Sequence, residues 1–180
     1  MDLLMWVGST YYPTIESYLY ETQHLGACKR VARIPKNIEV GKSRCFLIHD
    51  NDGNPVIFAY YVIKRIECIV KDGFELSKEL EKRGIKPISI SSVINNEPKR
   101  GCGYRFHVGA FYVTSYELAL EDLLKVQDLA KRKELLGEIH VLNPYIPYNG
   151  KFFRNYKLID GDILLQTKDV NLALRKAKEG

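Results

Sequence analysis

The chain has 180 residues, 46% of them hydrophobic, which suits one domain with a buried core and excludes wholesale disorder. Lys and Arg number 27 against 22 Asp and Glu, a formal charge of +5; this is compatible with a polyanionic partner but does not prove one. No run approaches the roughly 18 apolar residues of a membrane helix, so no membrane partner is expected.

In chain order, Leu3–Val7 reads as a short buried strand. Tyr11–Leu25 reads as a helix, with Pro13 in its first turn, where a missing N–H costs nothing, and Gly26 as its stop. Ile15, Tyr18, Leu19 and Leu25 form its apolar stripe. Ala27–Ser43 reads as a basic connection. Arg44–His49 is a strand, Asn51-Asp52-Gly53-Asn54 has turn chemistry, and Pro55–Val70 is a long β-branched and aromatic run. Together they predict a hairpin whose second strand is long enough to bend around a small barrel.

Farther on, Asp72, Glu75 and Gly84 bracket a helix over Phe74–Arg83. Pro87–Ile94 and Tyr104–Val113 read as strands separated by a loop. Thr114 and Glu117 match a capping box that opens a helix to Leu136, with Gly137 as the stop. Ile139–Leu142 is a short strand that Pro144 and Pro147 break. Lys157–Gln166 forms a hairpin around Asp160-Gly161, and Asp169–Lys178 is a closing helix. The order predicts a single α+β domain over residues 1–180: a small, mixed, mainly antiparallel β-barrel decorated by helices.

Few motifs point to a reaction. Gly41-Lys42-Ser43 lacks the upstream glycine of a P-loop, because Lys36 stands there, and it leads into a strand instead of a helix. Gly101-Cys102-Gly103 has the wrong spacing for a dinucleotide fingerprint. Cys28, Cys45, Cys68 and Cys102 include no C-x-x-C pair. Cys45 and Cys68 sit in apolar runs and read as core residues. No metal and no cofactor is expected. Thiols without disulfide spacing, and an opening segment without a basic n-region, point to the cytoplasm. Cys102 or His49 would be the groups to watch if the chain were an enzyme acting on nucleic acid or a nucleoside.

Charge combined with aromatics is the stronger signal. Between Ala27 and Arg44 stand Lys29, Arg30, Arg33, Lys36, Lys42 and Arg44, opposed only by Glu39. A second basic cluster is Lys99, Arg100 and Arg105. A third is Lys151, Arg154 and Lys157, interleaved with Tyr145, Tyr148, Phe152, Phe153 and Tyr156. Arginine binds phosphate bidentately, and aromatic faces stack on unpaired bases. Trp6, Ser9, Tyr11 and Tyr12 lie where the first strand feeds the first helix, a favourable place for a ligand pocket.

Three stretches resemble the PUA-like superfamily of small pseudo-barrels, which includes PUA, ASCH, EVE and YTH domains. They are Leu4-Met5-Trp6-Val7-Gly8 with the helix after it, Val40–His49, and Pro55–Ile63. Arg105–Val113 and Asp160–Leu165 would complete the barrel. Lys42 replaces the acidic residue usual after the glycine, and the G-x-K-x-x-E-x-R signature of ASCH proteins is absent. The resemblance implies a non-catalytic module that binds RNA or a modified nucleobase in nucleic acid. Its pocket would hold Trp6, Ser9, Tyr11 and Tyr12. Lys29, Arg30, Arg33, Lys36, Lys42, Arg100, Arg105, Lys151 and Arg154 would serve the phosphate backbone. The abundance of tyrosine, 12 residues, leaves open a third reading, an interaction subunit of a larger protein assembly.

Overall fold

The computed structural model describes residues 1–9, 12–31, 37–70, 87–89, 110–148, 156–159, 162–165 and 167–179. In chain order its elements are β1 (Asp2–Trp6), α1 (Ile15–Leu25), β2 (Cys28–Val31), β3 (Arg44–Asn51), β4 (Asn54–Val62), β5 (Arg65–Val70), β6 (Pro87–Ser89), β7 (Ala110–Thr114), α2 (Leu120–Leu124), α3 (Leu129–Leu135), β8 (His140–Pro147), β9 (Tyr156–Ile159), β10 (Asp162–Leu165) and α4 (Thr167–Glu179). The expected helix over Phe74–Arg83, the loop at 95–103 and the Asp160-Gly161 turn lie outside the described residues.

The strands form a six-stranded sheet, ordered β8-β4-β3-β1-β10-β9, and a four-stranded sheet, ordered β2-β7-β5-β6. All pairings are antiparallel except β1 with β3 and β5 with β6. The fold is therefore α+β with mainly antiparallel sheets, and among the described residues the sheets do not close into a barrel.

The β3–β4 hairpin follows from its sequence. β-branched and aromatic residues flank Asp52-Gly53, and both turn residues take positive φ, 52° and 82°. That is the two-residue turn whose twist matches the strands, and it favours Gly at the second position. Pro55–Val70 does bend, but as two strands instead of the single strand expected from sequence. At Ile63 the chain leaves the six-stranded sheet and enters the four-stranded one. The Ile63 N–H donates to the Ser43 carbonyl at 2.8 Å, and its carbonyl accepts from Gly41 N–H at 2.7 Å. The 39–43 turns thus satisfy the corner's backbone, which a buried bend requires.

Alternation along β1 divides the interior into layers. Leu3, Met5 and Val7 face a central core with Cys45, Leu47, Phe58, Tyr61, Ile63 and Val113, which both sheets share. Leu4 faces outward with Phe46, Ile48, Ile57 and Ile146, and α4 covers that side through Val170 and Ala173. The outer face of the other sheet carries Tyr112, which α2 covers through Leu120 and Leu123, joined by Leu136 just past the end of α3.

Four local expectations are corrected. First, α1 begins at Ile15, not Tyr11, because Thr14 and Ser17 form a reciprocal capping box; Pro13 precedes the cap. Second, Lys29 and Arg30 lie on β2, paired with β7, and not in a connecting loop. Third, Thr114 ends β7, and its hydroxyl donates to the Tyr116 carbonyl at 2.9 Å, so it caps no helix. The expected 114–136 helix is instead α2 and α3. Buried Glu67 accepts the Leu120 N–H at 2.7 Å, and Asp128 caps α3. Fourth, β8 runs through Pro144 to Pro147. Its register jumps from Ile146 opposite Ile57 to Val141 opposite Ala59. Pro144 therefore sits in a bulge on an edge strand, where a missing N–H is tolerated.

Candidate functional site

Trp6 closes β1 beside Ile48 of β3. Alternation turns its side chain to the outer face of the six-stranded sheet, and the indole is 45% exposed. Tyr148 holds it edge-to-face, with ring centroids 5.5 Å apart and planes at 85°. The tyrosine is fixed in turn by its N–H, which donates to the Pro55 carbonyl at 3.0 Å. A strand end and the residue after an edge strand thus meet across 142 positions of sequence (6 to 148). Either ring alone could be read from composition, but their meeting could not.

The rest of the expected pocket divides. Ser9 is exposed near the indole in sequence. Tyr11 lies outside the described residues. Tyr12 packs on the central core, its ring 5.0 Å from that of Tyr18 in an edge contact. Trp6 and Tyr12 are therefore on opposite faces of the six-stranded sheet.

His49 explains the position of Tyr12. The histidine is buried, and its Nε2 lies 2.7 Å from the Tyr12 carbonyl. A carbonyl only accepts, so Nε2 carries the hydrogen and donates. Nδ1 has no hydrogen-bond partner among the described residues. The Tyr12 N–H also donates to Gly8 O at 3.0 Å, so His49 pins a tight turn between Trp6 and α1. This is a positioning role. Cys102 lies outside the described residues. Cys45 and Cys68 are core residues. Burial pushes the Cys68 thiol up to about 11. Among the described residues no three His, Cys, Asp or Glu side chains gather as metal ligands would, and no helix is long and apolar enough to cross a membrane.

The basic residues also sort by partner. Lys42 is exposed and lies 3.7 Å from Glu39. Arg44 is a structural cation. Its Nη2 donates to Asp2 Oδ2 at 2.9 Å and to Asn171 Oδ1 at 2.8 Å. Its guanidinium also lies over Phe46 and Tyr60. Lys29 is half-buried and Arg30 exposed, both on the edge strand β2. Arg33, Lys36, Arg100, Arg105, Lys151 and Arg154 lie outside the described residues.

Chemically, the partly exposed Trp6 indole, braced at right angles by the Tyr148 ring, offers an aromatic surface to solvent. Such a surface is suited to stacking. No protein-family model, curated protein or solved structure matches the chain.

Proposed function

We propose that this chain is a non-catalytic module that binds RNA, or a modified nucleobase in nucleic acid, by stacking an unpaired base on Trp6. One observation carries the reading: a tryptophan 45% exposed yet held edge-to-face by an anchored tyrosine. Exposing this much indole wastes burial unless a partner covers it, and a base is a flat partner of matching chemistry. The fold proposed for the module is PUA-like. The bent β4–β5 run, which joins two sheets around one core, supports that reading.

Trp6 is the only tryptophan, so intrinsic fluorescence reports the site directly. Titration with single-stranded RNA of mixed sequence is expected to quench it. Trp6→Ala is expected to weaken binding by about 1–3 kcal/mol. Thermal unfolding should shift little, because the ring is only partly buried. RNA that leaves the fluorescence unchanged, or binds Trp6→Ala as tightly as the parent, would overturn this reading.

A further inference from the structure

The face of the six-stranded sheet that presents Trp6 is also the face that α4 covers. α4 places Val170, Ala173, Leu174 and Ala177 against the sheet. Positions three and four apart share one side of a helix. The opposite side is therefore Lys168, Leu172 and Arg175, with Glu179 one turn on at the helix end, flanked by Lys176 and Lys178. All six are exposed, Leu172 by 43%. The helix carries four cations against Asp169 and Glu179. Among the described residues none of Lys168, Arg175 and Lys176 forms an ion pair. By contrast, Arg44 and Lys42 have carboxylate partners. Arg30 belongs to the other sheet, across the shared core from Trp6.

We infer that the outward face of α4 is the phosphate-binding track of a single-stranded RNA whose base stacks on Trp6. The inference rests on the nucleobase reading above and deepens it by naming the surface that takes the backbone. Cations without internal partners are the ones free to replace counterions around phosphates. Their place on a regular helix sets them in a fixed row. The exposed Leu172 between Lys168 and Arg175 gives that row an apolar centre for a ribose or base. The sequence signal was the i, i+4, i+7 pattern of Lys168, Leu172 and Arg175, which the larger charge run at 29–44 overshadows.

The test is binding of a labelled, mixed-sequence, single-stranded RNA to the full chain across a salt series, with tryptophan fluorescence read in parallel. The triple variant Lys168→Ala, Arg175→Ala, Lys176→Ala changes only exposed side chains. Circular dichroism and thermal unfolding would establish that it folds like the parent. Affinity is expected to fall at least tenfold. The slope of log affinity against log salt is expected to flatten by about 2, since each single-strand phosphate contact contributes about 0.7. Trp6 quenching should still be reached at saturating RNA. Arg30→Ala is expected to keep the parental slope.

A triple variant with unchanged affinity and slope, still quenched by RNA, overturns the track and leaves the nucleobase reading standing. A parent chain that neither binds RNA nor is quenched overturns both. Arg30→Ala with the larger loss moves the track to the other sheet and overturns the assignment. Vesicles of mixed phosphatidylserine and phosphatidylcholine are the control for a lipid surface. Should the triple variant lose vesicle binding while keeping RNA binding, the proposal is also overturned.

Discussion

Cys68 sits on β5 with no solvent exposure, and burial raises its thiol from 9.0 to about 11. In the unfolded chain the thiol ionises near its ordinary value, while in the folded chain it holds its proton longer. Unfolding therefore releases a proton between these two values, and stability falls as pH rises from about 9 to about 11. Tyr61 acts in the same direction at higher pH. Its hydroxyl is raised by burial first and by neighbouring Cys45 next. Urea midpoints at pH 8 and pH 10 should show the loss, and Cys68→Ala should show a smaller one. An equal loss in that variant would mean other groups dominate. The buried character of Cys45 and Cys68 was legible in their apolar surroundings. The Asp2–Arg44 pair was not, because both charges read as surface residues until a parallel β1–β3 pairing brings them together.

Gly137 shows how elements fix one another. It follows α3 with φ of 79°, where an L side chain is strained, and an added Cβ would collide with the Ser115 carbonyl. Ser115 is itself a junction. Its hydroxyl donates to Leu136 O at 2.7 Å and accepts from Ala27 N–H at 2.9 Å. One side chain thus ties the end of α3 to the segment between α1 and β2. Gly137→Ala is expected to lower stability by more than about 1 kcal/mol, the conformational cost alone, because the overlap adds to it. A thermal melt checks this; an unchanged midpoint would mean the junction gives way freely. That Gly137 stops a helix was readable from the sequence. The helix it stops was misjudged. Thr114 and Glu117 have capping-box spacing, but Thr114 is held as the last residue of β7, paired with Arg65. A distant carboxylate, Glu67, caps α2 in its place.

Across the whole molecule, Tyr61 connects the sheets. It belongs to β4, is completely buried, and its hydroxyl donates to the Val113 carbonyl of β7 at 2.7 Å. Tyr61→Phe keeps the ring's packing and removes this link. It is expected to cost about 1 kcal/mol, the usual net value of one buried hydrogen bond. Unfolding should remain a single transition, since Leu3, Leu47 and Val113 share one core and neither sheet keeps its inner face covered alone. Denaturation followed by tyrosine absorbance and by far-ultraviolet circular dichroism should coincide. Separate transitions would show that the sheets fold independently.

Sequence by itself determined what local physics controls. Asp52-Gly53 placed the hairpin turn, Gly26 and Gly137 placed helix ends, the Asp160-Gly161 region announced the β9–β10 pair, and β-branched and aromatic residues marked the β-rich run after the turn. These signals act over a few residues, so they survive without knowledge of the fold. Tertiary structure alone decided which residues meet. It split the Pro55–Val70 run between two sheets, because the 39–43 turns satisfy the backbone at Ile63. It assigned Arg44 to Asp2, leaving that cation a structural partner. It set Trp6 against Tyr148, on the face opposite Tyr12, because one-residue alternation in β1 sends neighbouring side chains to opposite sides of the sheet. Contacts of this kind depend on pairing and register between distant segments, and no local pattern encodes them.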